Sequence, residues 1–183
     1  LGAEVLRVES RASLDLLRQI TIEPDTPNRA FTFNDASRGQ RSVCLDLNRP
    51  RARELALQLC ASADVVVENY RGGALAHHGP LNASYAGVQW LWGDADAPYP
   101  AGTSLTPPDH VASKLAAVAV LAALEHRRRS GEGQYVDMAQ TEAAAFLIGE
   151  QYLRSACTGQ PPRPSGNAAD DAVPHGVYPS PGD

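Results

Sequence analysis

The chain has 183 residues, 43% of them hydrophobic, and a formal net charge of −5. That length buries the core of one ordinary domain, or of a domain and part of another, and the acidic balance argues against a general nucleic-acid or membrane-surface binder. Local basic pockets for phosphate-bearing small molecules stay open.

No run approaches the ~20 apolar residues of a membrane span and the N-terminus has no signal-peptide pattern, so a cytoplasmic protein is expected. Cys44, Cys60 and Cys157 are odd in number and far apart, with no CxxC, and read as free core thiols in a reducing compartment. The chain opens at Leu1 without an initiator Met and enters strand-like residues at once, so an upstream portion is expected to be missing.

Ala3–Val8 alternates apolar and polar residues and predicts a strand, followed by a turn at Glu9-Ser10-Arg11. Leu14–Ile20 reads as a short helix. Glu23–Gln40, rich in Pro, Asn, Asp and Arg with Phe31 and Phe33 as its strong anchors, reads as a long loop. Ser42–Leu47 predicts a second strand, and Pro50 then opens a helix with Leu55 and Leu59 on one face. Asp64–Glu68, DVVVE, predicts a third strand, apolar in its middle as a strand buried on both faces is.

Strand, helix, strand implies a right-handed crossover and a parallel sheet, half of a doubly wound domain. In such sheets ligands bind beyond the carboxyl ends of the strands, the place taken here by Asn69-Tyr70-Arg71-Gly72-Gly73 and the helix-like Ala74–His78. Taken alone, this turn reads more readily as a plain connection with glycines for its sharp geometry.

Gly79–Pro108 reads as loop with one short apolar element, GVQWLW. The paired prolines 107 and 108 then start a helix in which Leu115, Val118, Leu121, Ala122 and Leu124 leave almost no polar face before Glu125, so burial on several sides is expected. Arg127, Arg128 and Arg129 followed by Gly131 mark its end. Asp109 sits at its start, where unpaired backbone N–H groups and the positive end of the dipole favour a carboxylate. Such an aspartate is far more often an N-cap than a nucleophile, and spacing alone does not decide between them. Gln134–Met138 predicts a strand and Thr141–Leu153 a helix with Ala144, Leu147, Ile148 and Tyr152 inward. Beyond Cys157 the Pro-rich chain is linker-like and ends without a closing element, so a cut C-terminus is expected.

Several chemistries drop out. His77, His78, His110, His126 and His175 form no HExxH and no zinc-ligand spacing with Cys, so no metal site is expected. There is no GxSxG elbow, no dinucleotide GxGxxG and no Walker loop. Aromatic residues are few and not interleaved with basic ones, which disfavours a nucleic-acid platform.

Leu1-Gly2-Ala3-Glu4-Val5 through Val8-Glu9, then Arg38-Gly39-Gln40-Arg41-Ser42-Val43 with Leu45-Asp46-Leu47, then Ala63-Asp64-Val65-Val66-Val67-Glu68-Asn69-Tyr70 stand in an order that resembles the N-terminal domain of class III CoA-transferases, the CaiB/BaiF family. Asp109 with Leu121-Ala122-Ala123-Leu124-Glu125, then Arg129-Ser130-Gly131-Glu132-Gly133-Gln134 and Val136-Asp137-Met138, resembles the family's catalytic-helix region. Gly166-Asn167 and Pro174-His175-Gly176-Val177-Tyr178-Pro179 resemble its next landmark.

The resemblance implies a Rossmann-like large domain, a smaller second domain and an interlocked homodimer. It implies a reaction that moves CoA from an acyl-CoA donor to a small carboxylic acid through an aspartyl intermediate. Coenzyme A or acyl-CoA is then the substrate, with no metal. By the same resemblance Asp109 matches the family's nucleophile. Asn69, Tyr70 and Arg71 match the turn along CoA, and Leu45 a residue beside the adenine. Arg11 lies next to the family's adenine- or phosphate-contacting arginine position, occupied here by Ser10. His77 stands where formyl-CoA transferase members have an arginine.

The sequence also departs from the family. Between Gly79 and Gly87 it lacks a strand and a loop usual there, and with them the His-Asp pair that the racemase branch uses for proton transfer. The first strand, the glycine-rich loop and the small domain are absent, and Pro108 replaces the Gly usual before the aspartate.

The expected fold is therefore α/β, a partial Rossmann-like doubly wound parallel sheet with packed helices. Residues 1–80 are read as the βαβ CoA-binding half, 81–108 as a shortened loop region, 109–160 as the catalytic helix and the helix after it, and 161–183 as a linker toward the missing small domain. The expected function is a CoA-transferase with impaired turnover. The alternatives are an acyl-CoA racemase or isomerase and a non-catalytic CoA-binding remnant.

Overall fold

The computed structural model describes residues 2–19, 26–68, 79–94, 96, 106–169 and 172–181. The chain forms two compact units, Leu1–Glu68 and Asn69–Asp183.

In the first unit, β1 (Leu6–Glu9) is followed by α1 (Leu16–Gln19), α2 (Phe31–Ala36), β2 (Arg41–Cys44) and α3 (Pro50–Ser62). The two strands pair in parallel, in register from Leu6↔Arg41 to Glu9↔Cys44. Hydrogen bonds continue past both ends: Arg41 N donates to Val5 O at 2.9 Å and Leu45 N to Glu9 O at 2.8 Å. Both strands are shorter than the alternation predicts, but their parallel pairing is as expected.

The stretch Glu23–Gln40 is not a plain loop. Pro27–Arg29 makes a 3-10 turn and α2 follows it. One aromatic ring explains this. Phe33 is buried whereas Phe31 is 79% exposed, and a single helical turn that sinks one ring needs no extended apolar periodicity. The guanidinium of Arg18 lies 3.5 Å from the Phe33 ring centroid and that of Arg7 4.9 Å from it, so two cations draw on the ring's electron-rich π system.

Arg18 also forks onto Glu9, Nε to Oε1 and Nη2 to Oε2, each at 2.9 Å, and Ser42 Oγ donates to Glu9 Oε2 at 2.6 Å. Glu9 joins β1 to α1 and β2 at once. The hydrogen bond from Arg18, assisted by Ser42 and the charges of Arg18 and Arg7, holds the Glu9 carboxyl below its ordinary value of 4.5 against the opposing effect of burial. A depressed carboxylate contributes stability that is fully present above the unfolded value and is lost as pH falls through the folded one. Glu9→Gln is therefore expected to lower the urea midpoint most near neutral pH, with the gap to wild type shrinking below pH 4.5. Paired urea titrations across that range check it.

In α3, Pro50 takes the first turn, as predicted, and Ala52, Leu55, Ala56 and Leu59 form the inward stripe. The expected third strand is a correction. Residues 64–68 join no ladder among the described residues, and Val66 and Val67 are 58% and 77% exposed. The apolar run marks surface that favours burial, and only a neighbouring layer can bury it. The cysteines are corrected too: Cys44, Cys60 and Cys157 are free but exposed, not core thiols.

The second unit holds α4 (Gly79–Tyr85), α5 (Val88–Leu91), α6 (Pro107–Ser130), α7 (Gln140–Leu147) and α8 (Gly149–Thr158). Its core is made of small residues: Ala83, Ala86, Val88 and Ala144, with Ala145 and Ile148 packed on them. The stretch Gly79–Pro108, expected to be loop with one short apolar element, thus contains α5 on that element and also α4, because alanines let α4 and α7 approach closely. Gly87, at φ 77°, turns α4 into α5 where a Cβ would meet Ile148 Cδ1 at 3.4 Å. Tyr152 Oη closes this corner by donating to Ala86 O at 2.9 Å.

The predicted helix Thr141–Leu153 is broken at Ile148, whose φ of −114° and ψ of 25° leave the helical region just before Gly149. Glycine lowers helix stability there while Ile148 keeps its place in the core. The predicted strand Gln134–Met138 is in no ladder among the described residues, and Tyr135 is 79% exposed.

Gly131 ends α6 as predicted: it takes the left-handed conformation and donates to Arg127 O at 2.8 Å. Nothing would touch a Cβ at Gly131, so Gly131→Ala is expected to lower stability through backbone strain alone, by about 1 kcal/mol. Urea denaturation measures it. The burial expected along α6 is not found. Pro108 and Ala112 are buried, but Val118 and Leu121 are 63% and 53% exposed, because α7 and α4 are the helices against which α6 packs.

Candidate functional site

Asp109 is the third residue of α6. Thr106 stands at the N-cap position, so Asp109 is not a cap. The free backbone donors expected around it are scarce. Pro107 and Pro108 carry no N–H, and the Asp109 N–H donates to Thr106 O at 2.9 Å. The carboxylate is held instead by a side chain from another helix. Gln140 Nε2, at the first position of α7, donates to Asp109 Oδ1. Asp109 itself is exposed, and among the described residues no donor reaches its Oδ2.

Gln140 is in turn held. Asn82 Nδ2, on α4, donates to Gln140 Oε1 at 2.6 Å, and Thr141 Oγ1 donates to Asn82 Oδ1 at 3.3 Å. The order is hydroxyl, amide, amide, carboxylate, and each group donates toward the next. Asn82, Gln140 and Thr141 are half-buried, and the neighbouring Ala83, Ala143 and Ala144 are buried. These polar residues carry no signal in the sequence beyond their position in otherwise apolar or small-residue helices.

Arg11 and Leu45 lie on the first unit, just beyond the carboxyl ends of β1 and β2, the side of a parallel sheet where ligands bind. Arg11 is exposed, and Leu45 is half-buried with its N–H on the ladder. Asn69, Tyr70, Arg71 and His77 lie outside the described residues.

A cleft beside β1 is lined by Arg7, Glu9, Arg18, Phe33 and Ser42. It offers little to an anion, since Arg18 is forked onto Glu9 and Arg7 is paired with Asp15. Among the described residues no three His, Cys, Asp or Glu side chains gather as a metal site would need. No helix of the described residues is long and apolar enough to cross a membrane.

A parallel strand pair with helices around it, and an exposed carboxylate anchored at the head of a long helix, define an α/β protein with a candidate carboxylate nucleophile. The chain belongs to CoA-transferase family III, which matches it over residues 1–81 and 76–183. The two matched segments meet beside Gly79–Gly87, the stretch read above as shortened.

Succinyl-CoA:mesaconate CoA-transferase of Haloarcula hispanica is 30% identical over 219 aligned positions, covering 97% of this chain and 55% of the relative. Those positions outnumber the 183 residues of this chain, so the relative carries internal residues with no counterpart here. A probable fatty acyl-CoA transferase of Mycobacterium tuberculosis is 32% identical, over 92% of this chain and 52% of that protein. Among solved structures, a CaiB/BaiF family protein from Brucella suis superposes with a TM-score of 0.81 at 26% identity, covering 96% of this chain and 56% of that one. The chain thus spans about half the length of the curated relatives it matches.

Proposed function

We propose that this protein is a CoA-transferase that carries CoA from an acyl-CoA to a carboxylic acid, with Asp109 as the acyl acceptor. An Asp109 oxygen attacks the thioester carbonyl, the C–S bond breaks, and CoA leaves as thiolate from a mixed anhydride. The thiolate then attacks the aspartyl carbonyl and releases the donor acid, leaving an aspartyl thioester. The acceptor carboxylate attacks that thioester, CoA leaves again, and its return to the acceptor's carbonyl frees Asp109. No electron or net proton is exchanged.

The observation that carries this reading is the Asp109 carboxylate itself, exposed at the head of α6 with one oxygen anchored and the other without a donor among the described residues. A carboxylate is a weak nucleophile and gains most from being held in place against the thioester. In this reading Asn69, Tyr70, Arg71, His77, Arg11 and Leu45 contribute to CoA binding, and the protein works as a cytoplasmic homodimer.

Succinyl-CoA is the first donor to use, because the names of the mesaconate, citramalate and L-malate transferases among the relatives carry succinyl-CoA. The test is incubation with succinyl-CoA and hydroxylamine followed by peptide mass spectrometry. A hydroxamate at Asp109 supports the proposal. An unmodified Asp109 in a protein that binds CoA by calorimetry overturns it.

A further inference from the structure

We infer that Gln140 is a positioning residue for Asp109 and that Asn82 supports the orientation of its amide; this rests on the reading of Asp109 as acyl acceptor. A glutamine side chain has two ends of opposite character, an NH₂ that only donates and an oxygen that only accepts. It can hold a carboxylate in one of its two flip states alone. Here Asn82 Nδ2 donates to the Gln140 oxygen and the Thr141 hydroxyl to the Asn82 oxygen, an arrangement that matches the state whose NH₂ faces Asp109. The hydroxyl can also accept, so the direction of the run is set by the carboxylate, which only accepts, and Asn82 supports it. A run of bonds that all point the same way polarises each member and strengthens the last.

The residues come from α4, α6 and α7, helices brought together by buried Ala83, Ala112, Ala143 and Ala144. An exposed aspartate without such a hold samples several rotamers. With Oδ1 engaged by Gln140, the carboxylate plane is set and Oδ2 is the atom left to attack. Once Oδ2 is acylated, Oδ1 is the carbonyl oxygen of the aspartyl anhydride. The same Gln140 N–H then faces the charge that builds on Oδ1 as the thiolate returns.

The test is the rate of Asp109 hydroxamate formation from succinyl-CoA and hydroxylamine on the intact chain, with CoA affinity measured by calorimetry in parallel. Gln140→Met keeps the length and removes the donor. It is expected to slow trapping by about 100-fold, with CoA affinity unchanged. Asn82→Asp keeps Gln140 but turns the donor behind it into an acceptor, so the Gln140 amide flips and presents its oxygen to Asp109. That variant is expected to lose as much as Gln140→Met, which a packing role for Gln140 does not predict.

Circular dichroism and urea midpoints report folding, and if Gln140→Met unfolds, Asn82→Asp decides. Wild-type trapping with either folded variant at the wild-type rate overturns the inference and leaves Asp109 as acceptor. A wild type that binds CoA and never traps removes the Asp109 reading and this inference with it.

Discussion

Asp109→Asn is expected to abolish acyl capture from succinyl-CoA, by at least about a thousandfold in thiol release with hydroxylamine present, while CoA affinity and the urea midpoint stay at wild-type values. The side chain is exposed and caps nothing, so the fold asks little of its charge. Asparagine keeps the shape and an oxygen for the Gln140 amide. It has no anionic oxygen to attack a thioester. A purely structural carboxylate near the helix start predicts the opposite pattern, a small loss of stability, about 0.3–1 kcal/mol, with acyl capture intact. The two readings therefore separate on one variant and two measurements.

Phe33→Ala is expected to be the most destabilising single change in the first unit, about 3–5 kcal/mol by urea denaturation. Phe33 is the large side chain buried there among the described residues; its buried companions are Ala30 and Ala52. Removing the ring leaves a cavity and strips the cover from beneath the Arg18 and Arg7 guanidinium groups at the same time. Arg18 is also the main support of Glu9, so the loss reaches both strands. Phe33→Leu, which refills part of the volume without the ring face, is expected to lose less. A loss under about 1 kcal/mol for Phe33→Ala would mean that the ring is not the anchor of this unit.

Much of the local architecture was legible because its causes are local. Pro50 and Pro107 open helices since their missing N–H groups need no partner there, and Gly131 closes one since a left-handed residue without a Cβ is unstrained. Strands were legible around Leu6–Glu9 and Arg41–Cys44, and they pair in parallel as in the parallel sheet expected. The crossover argued from Ser42–Leu47 through the Pro50 helix runs instead to residues 64–68, which join no ladder among the described residues. What failed was inference from apolar content to burial. Val66, Val67, Val118 and Leu121 are exposed, and the cysteines with them, because hydrophobicity states a preference and the rest of the fold decides whether anything covers it. The helices α2 and α4 do not show in the pattern of residues because their stability comes from Phe33 and a cluster of alanines, not from an apolar stripe, whereas α5 falls within the short apolar element GVQWLW.

The order of motifs, the position of Asp109 ahead of a long apolar helix and the membership of a transferase family were all present in the sequence itself, since each depends on residues close together in the chain. The partner of that carboxylate was not. Gln140 lies 31 residues from Asp109, and Asn82 lies 58 residues from Gln140. Only the packing of α4, α6 and α7 brings them within hydrogen-bond reach. A hydrogen bond acts over a few ångströms, so no pattern of residue types along the chain could assign these partners before the helices were in place.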